Sequence, residues 1–286
     1  MTSSPLPVIR LLPKTKPQAI RRGYPWVYAN EVVTDRRTRA MLPGTIAVLE
    51  DADRSPLALV GVNPNSKIIG RVLDAPDAAH PDQEWFATRL RKALALRERL
   101  FPTPYYRLIH AEADGLPGVI IDRFGETAVV QPNAAWADAL LPQITAALAE
   151  VTGVTTILKN AGGRGRSLEG LDDVDAVLLG NAPTAPIPVE MNGATYMADL
   201  MGGQKTGLFF DQRPNHAFAA RLAQGARVLD VFSHVGGFGL AAMANGAVSA
   251  HCVDGSDPAL ALAIQGAGHM GAEGHLTTTK GDAFDV

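Results

Sequence analysis

Hydrophobic positions along the chain change their rhythm twice. Up to about residue 75, short apolar runs such as "TIAVLED", "LALVGVN" and "KIIGRVLD" are separated by Pro, Gly, Asn and Asp. That pattern predicts short strands forming a small barrel or sandwich. In "HPDQEWFATRLRKALALRERLF", Phe86, Leu90, Leu94 and Leu96 form an apolar stripe over basic residues, with Asp82 as N-cap. This predicts an amphipathic helix leaving the first domain. From about 105 to 190 the chain reads as a compact α+β domain. "YRLIHAEADGLPGVIIDRFGETAVVQP" predicts three strands with turns at Asp114-Gly115, Pro117-Gly118 and Phe124-Gly125. "AAWADALLPQITAALAEVTG" predicts one helix stopped by Gly153, "VTTILKN" a strand, and "AGGRGRSLEG" a loop. "DAVLLG" and "IPVEMNGATYMADL" supply further strands.

From Arg227 the elements alternate strictly. "RVLDVF", "VSAHCVD" and "HLTTTKGD" are strands, and "GGFGLAAMANG" and "SDPALALAIQGAGHMG" are helices. A βαβαβ order is the first half of a doubly wound parallel sheet. The fold class expected is therefore a multidomain α/β and α+β chain, divided as 1–75, 76–190 and 191–286. Three parallel strands leave one sheet edge unpaired and one face poorly covered. That raises the expectation that the 286 residues are the front of a longer chain.

Composition narrows the setting. No apolar run is long enough to span a membrane, and the N-terminus lacks the apolar core of a secretory signal. A single cysteine, Cys252, excludes an internal disulfide framework and a cysteine-cluster metal site. A cytoplasmic location with no membrane partner is the expectation. The net charge of −3 does not describe a uniformly basic nucleic-acid binder, but residues 1–39 carry eight Lys and Arg against Glu31 and Asp35. A basic end fits either an RNA-facing surface or a solvated tail.

The chemistry concentrates after residue 227. In a doubly wound sheet, ligands sit at the carboxyl ends of the strands. Asp230, Asp254 and Asp282 end three successive strands, and Ser233, Gly236 and Gly237 form the first turn. "SHVGGFG" lacks the G-x-G-x-x-G spacing that lines up amides for a pyrophosphate. A carboxylate beside the turn suits a cofactor with a cationic amino-acid end. S-adenosylmethionine carries an ammonium and a sulfonium and no phosphate. Asp254 would accept the ribose hydroxyls and Asp282 would meet the adenine. The competing reading makes the three acids helix caps and polar strand ends.

Beyond these residues, "LMGGQKTGLFFDQRPNH", "VLDVFSHVGGFG", "VDGSDPALALA" and "GDAF" resemble ribosomal-RNA methyltransferases with an N-terminal PUA domain, whose best-known members are 23S rRNA cytosine-C5 methyltransferases. Upstream, "RRGYPWVYANEV" resembles the family's PUA opening and "HAEADGLPGVIIDRFG" its central signature. The resemblance implies a PUA-like barrel, a central α+β domain and the first part of a Rossmann-like class I methyltransferase domain. It implies S-adenosylmethionine as cofactor and large-subunit ribosomal RNA as partner, and it is compatible with a homodimer. By position it assigns Asp230, Phe232, Ser233, Gly236 and Gly237 to the first cofactor loop, Asp254 to the ribose, and Asp282 with Ala283 to the adenine. Lys205, Thr206, Gly207 and Arg213 fall on the segment over the methionine end. His234-Val235 stands where the family usually has Tyr-Thr.

The family's Asp-Pro-Pro motif and later nucleophilic cysteine do not occur in this sequence. Methylating C5 of cytosine needs a thiolate to add at C6 and a base to take the C5 proton. No catalytic residue is therefore assigned, and this chain alone is expected to transfer little or no methyl group. Cys252, two positions before Asp254, reads as buried packing. Arg21 and Arg22, beside Tyr24 and Trp26, and Arg164 and Arg166, in a glycine-rich loop, are candidate RNA contacts; Trp26 itself reads as a core residue. His110, Glu112 and Asp114 alternate along one strand, too spread out to meet at one metal. Two alternatives stay open: a non-catalytic protein binding RNA and S-adenosylmethionine, and a nicotinamide-dependent oxidoreductase.

Overall fold

The computed structural model describes residues 6–202, 207–282 and 284. The chain folds as two compact units, one of residues 1–97, 108–121 and 130–180, the other of residues 98–107, 122–129 and 181–286. The first begins with β1 (Val8–Arg10), α1 (Gln18–Arg21), β2 (Trp26–Tyr28), α2 (Arg36–Arg39), β3 (Thr45–Glu50), β4 (Pro56–Val62) and β5 (Ile68–Asp74). The sheet order is β1-β3-β4-β5-β2, and a bridge between Leu11 and Val32 ties the ends of the two outer strands together. Alternation along these strands sends Ile9, Val27, Leu49, Val60 and Ile69 into one core. Trp26 does not join it. Val27 takes the inward position, fully buried, so pleating turns Trp26 and Tyr28 to the opposite face.

α3 (Gln83–Leu100) starts where Asp82 accepts a hydrogen bond from the amide of Trp85 (2.9 Å). Its buried face is Phe86, Ala87, Leu90 and Ala93, whereas Leu96, expected in the stripe, is 49% exposed. Steps of three and four residues keep 86, 90 and 93 on one side, and 96 has already turned away. Phe86 stacks on Trp136, with ring centroids 6.0 Å apart.

The next sheet has five strands. β6 (Tyr105–His110), β7 (Val119–Phe124) and β8 (Thr127–Pro132) come first. β9 (Thr156–Lys159) lies beyond α4 (Ala135–Ala139) and α5 (Leu141–Thr152), and β10 (Ala176–Leu179) lies beyond α6 (Arg164–Leu168). Their order is β10-β9-β8-β7-β6. The single helix expected over this stretch is two, because the chain leaves helical geometry at Leu140 and restarts with Pro142 in the first turn, where its missing N–H is harmless. Gly153 caps α5 in the left-handed conformation, as the sequence predicts.

The arginine loop is also different from expectation. α6 occupies part of it, and Arg166 is completely buried. Its guanidinium donates to the Pro132 carbonyl (2.7 Å), the Asp138 carboxylate (2.7 Å), and the carbonyl (2.8 Å) and carboxylate (3.2 Å) of Asp172. A cation so enclosed shapes the loop and is withdrawn from RNA, while Arg164 stays exposed. His110 ends β6, and a 3-10 turn over Ala111–Asp114 replaces the expected strand alternation. Asp114 there holds Arg97 through two bonds of 2.9 and 2.7 Å.

Glu169 ties the first sheet to the start of α4. Its carboxylate accepts from Asn63 (3.0 Å), Ser66 (2.9 Å), Arg71 (3.1 Å) and the Ala135 amide (3.3 Å), and its side chain is 3% exposed. Removing Glu169 strips a buried carboxylate from Asn63, Ser66 and Arg71, leaving Arg71 only Glu112 among the described residues, and loss of one partner of a buried charge pair costs about 3 kcal/mol or more. Glu169→Ala is therefore expected to lower the urea-unfolding stability by about that amount. A variant that unfolds with the wild type would mean the network contributes nothing.

The second unit contains the hairpin β11 (Ile187–Met191) and β12 (Ala194–Ala198), α7 (Arg213–Ala220), β13 (Arg227–Val231), α8 (Gly237–Ala244), β14 (Ser249–Asp254), α9 (Asp257–His269) and β15 (Leu276–Lys280). Asn192 and Gly193, both at positive φ, make the tight hairpin turn. β13, β14 and β15 pair in parallel in that order, the βαβαβ expected from the pattern. α8 and α9 pack against these strands and β12. Leu229 stays 65% exposed, and among the described residues β13 has a strand neighbour on one side only.

Candidate functional site: the turn after the first parallel strand

Asp230 lies one residue before the end of β13 and is buried. One carboxylate oxygen accepts from the amides of Phe238 (3.1 Å) and Gly239 (2.8 Å), the free N–H groups of the first turn of α8. A carboxylate at a helix N-terminus is also favoured by the helix dipole. Burial nevertheless pushes its pKa above the ordinary carboxylate value, against the two amides. Asp230 thus acts first as the anchor of α8, which is the competing reading from the sequence.

Between strand and helix the chain makes a compressed turn. The Ser233 carbonyl accepts from the amides of Gly236 (2.8 Å) and Gly237 (3.2 Å), and the Ser233 amide donates to Val253 (3.0 Å). Phe232 (φ 61°) and His234 (φ 50°) are non-glycine residues held in left-handed geometry, and Phe232 is 72% exposed. Such backbone strain, about 1 kcal/mol or more per residue, persists where surrounding contacts impose it.

The paired glycines have separate reasons. Gly236 sits at φ 79°, where a side chain is strained. Gly237 and Gly239 are needed for packing. A Cβ on Gly237 would lie 2.6 Å from the His216 ring, and one on Gly239 would lie 2.9 Å from the Cys252 sulfur. Glycines in this turn are expected to make room for a cofactor; at Gly237 a protein side chain already makes that close approach. Cys252 is fully buried, and burial pushes its thiol pKa up to about 12, which keeps it protonated and inert.

Asp254 ends β14 half-buried. One oxygen accepts from the His234 amide (2.8 Å) and the other from the Ser256 amide (2.9 Å). Each keeps acceptor capacity for a ligand hydroxyl. Asp282 is exposed, with one oxygen accepting from the Phe284 amide (3.0 Å). The strand ends therefore bring Asp254 against the turn that Asp230 anchors.

A cavity of about 290 Å³ adjoins the turn, lined by Val231 through Val235, Gly237 and Phe238, by Leu208, Phe209, Gln212 and His216, and by Met191 and Tyr196. No lysine, arginine or carboxylate lines it among the described residues. His216, on α7, packs between Tyr196 (6.3 Å, stacked) and Phe238 (4.5 Å, edge-on), and Tyr196 donates its hydroxyl to the Gly237 carbonyl (3.2 Å). Among the described residues, the buried Nδ1 of His216 meets no hydrogen-bond partner. Burial lowers the His216 pKa to about 4, so the ring is neutral at pH 7.

Of the residues assigned by resemblance, Phe232, Ser233 and Gly237 line the cavity, whereas Asp230, Gly236, Asp254, Asp282, Gly207 and Arg213 do not. Arg213 is buried with its guanidinium 4.3 Å over the Phe101 ring and donating to the Tyr105 carbonyl (2.9 Å). Gly207, at φ 88°, packs against the backbone of Asp199. Lys205, Thr206 and Ala283 lie outside the described residues. Tyr196, Phe209, Gln212, His216 and Phe238 were not singled out from the sequence. His216 ends the stretch "LMGGQKTGLFFDQRPNH", but nothing in that pattern gives it a role, and only its position opposite Gly237 does.

Residues 9–75 match the PUA-like domain family, and residues 142–270 the S-adenosylmethionine-dependent methyltransferase family. The ribosomal RNA large subunit methyltransferase I of Shewanella denitrificans is 34% identical over 96% of this chain and 70% of its own length. That of Aeromonas hydrophila is 32% identical over 96% of this chain and 73% of its own length. The chain belongs to the ribosomal RNA large subunit methyltransferase I family. It is also 36% identical to the member from Alteromonas mediterranea, of which it spans 64%. The fold is that of a candidate S-adenosylmethionine-dependent methyltransferase from Streptococcus mutans, with a TM-score of 0.79 at 20% identity over 98% of this chain and 72% of the other.

The His216–Gly237 contact has two measurable consequences. Gly237→Ala is expected to destabilise the protein by about 2 kcal/mol through overpacking. In the Gly237→Ala/His216→Ala double variant that penalty shrinks, which a double-mutant cycle by chemical denaturation measures. Additive losses would show that the two residues do not press on each other. The second consequence concerns acid. His216 binds a proton in the unfolded chain near pH 6.5 but in the fold only near pH 4. Its contribution is thus complete above pH 6.5 and is lost as pH falls towards 4, about 3 kcal/mol in all. Asp230, whose pKa is raised, changes stability in the opposite sense as pH falls. The difference between wild type and His216→Gln across pH 7 to 4 isolates the histidine; a flat difference contradicts its burial as a neutral ring.

Proposed function

We propose that the protein is an S-adenosylmethionine-dependent methyltransferase acting on large-subunit ribosomal RNA, with cytosine C5 as the acceptor. The observation that carries the cofactor is the pairing of Asp254 at a strand end with an adjoining cavity free of cationic side chains among the described residues. A pyrophosphate would seek amides and positive charge there. A nucleoside carrying a sulfonium is served by an acid for its ribose and by aromatic walls, since cations favour ring faces. The buried Nδ1 of His216, without a partner among the described residues, is a further polar group beside the cavity available to a ligand or its water.

In this reading Asp254 accepts the ribose hydroxyls and Asp282 faces the adenine. Phe232, Ser233, Gly236 and Gly237 form the loop beside the methionine portion. Asp230 holds that loop to α8 and lends it negative charge. Arg213 acts from outside the cavity, by fixing the start of α7. Lys205, Thr206 and Ala283 are kept as contacts by resemblance alone. When bound, S-adenosylmethionine supplies an electrophilic methyl group; the residues of the turn and cavity orient it and exclude water. Cys252 takes no part as nucleophile, because its thiol is buried and protonated. The RNA is engaged by the PUA-like domain through the exposed Arg21 and Arg22, with Arg164, outside that domain, as a further exposed cation.

Calorimetric titration tests the cofactor assignment. S-adenosylhomocysteine is expected to bind and NAD not to bind. Asp254→Ala should weaken S-adenosylhomocysteine by roughly 10- to 100-fold, the loss of charge-assisted hydrogen bonds. Tighter binding of NAD, or an Asp254→Ala variant with unchanged affinity, would overturn the assignment.

A further inference from the structure

The turn of Trp26 away from the core leaves an aromatic group that the cofactor site does not use. Tyr24, Trp26 and Tyr28 alternate with Val27, which alone of the four is fully buried, so their rings share the outer face of β2. Trp26 stands edge-on to both neighbours, with centroids 6.2 Å from Tyr24 and 6.5 Å from Tyr28. The two tyrosine hydroxyls meet at 3.3 Å. The indole is held from behind: its Nε1 donates to Glu112 (2.8 Å), which also accepts from Arg71 (3.3 Å). Tyr24 is 41% exposed.

On the reading of the protein as an RNA methyltransferase, we propose that Tyr24, Trp26 and Tyr28 form a stacking site for unpaired bases of RNA. Three rings fixed before binding lose little freedom on contact, and each offers a flat apolar surface with a polar tip. The occupant is RNA because cations flank the rings. Arg21 and Arg22, exposed at the end of α1, precede Tyr24 by three and two residues, and at about 3.5 Å per residue Arg22 lies within one nucleotide's reach of it. The Tyr24 amide donates to the Ala19 carbonyl (3.0 Å), which folds the end of α1 back against the first ring. Unpaired strands are selected because an A-form duplex hides the faces of its bases and offers only phosphates and hydroxyls.

Stacking and phosphate contact respond differently to salt, and this separates them. Binding of a fluorescein-labelled, roughly 10-nucleotide single-stranded RNA, and of its duplex, is measured by anisotropy over a range of salt. Tyr24→Leu, and more so Tyr24→Leu/Tyr28→Leu, should weaken the single strand by about 5- to 30-fold per base lost, with the salt slope unchanged. Tyr24→Phe should retain affinity, which excludes a folding defect. Arg22→Gln should instead reduce the slope by roughly 0.7. Leucine variants that bind the single strand as wild type does would overturn the stacking site while leaving the RNA reading intact. A wild-type protein that takes up S-adenosylhomocysteine but neither RNA would overturn both.

Discussion

The turn after β13 depends on one buried carboxylate. Asp230 closes β13 and holds the first free amides of α8, so strand and helix cannot separate without exposing both. Everything else at the turn is set from that point. The strained conformations of Phe232 and His234 are enforced because both ends of the turn are fixed. The His234 amide is thereby brought to Asp254 on the neighbouring strand. On the far side of α8, the Tyr196–His216 pair presses on Gly237 and keeps the helix start from shifting. A charge placed like a ligand contact is the joint on which the candidate site is assembled.

The same economy appears in the first unit. Glu169 gathers donors from β5, the β4–β5 connection and the start of α4, while Arg166 gathers acceptors from the end of β8, from α4 and from Asp172 after its own helix. Both are charges in places where an unpaired charge would be costly. They fix the loop that carries them, which explains why only Arg164 of that arginine pair remains at the surface. The outer face of β2 owes its aromatic row to the same logic, since Glu112 and Arg71 hold the indole that the core left out.

Much of the fold was legible in the chain because it rests on periodicity. The short apolar runs at 45–51, 57–63 and 67–74 and the regular exchange of strand and helix after Arg227 both name their elements without reference to anything distant. The helix stop at Gly153 could be read because backbone geometry admits few residues there. The break at Leu140 and the helix inside the arginine loop were not legible, since both depend on how neighbouring elements pack.

For the site, the sequence by itself determined the level in the sheet. It put Asp230, Asp254 and Asp282 at consecutive strand ends and a glycine turn beside the first, because strand register alone fixes where a carboxyl end falls. Only the tertiary structure decided what each residue does there. Whether a carboxylate faces a ligand or a helix amide, whether Arg166 meets solvent or its own loop, and whether Gly237 is small for a cofactor or for His216 all depend on atoms far away in the chain. Those contacts leave no local pattern, because burial and hydrogen bonding are settled by whichever residue the fold brings opposite.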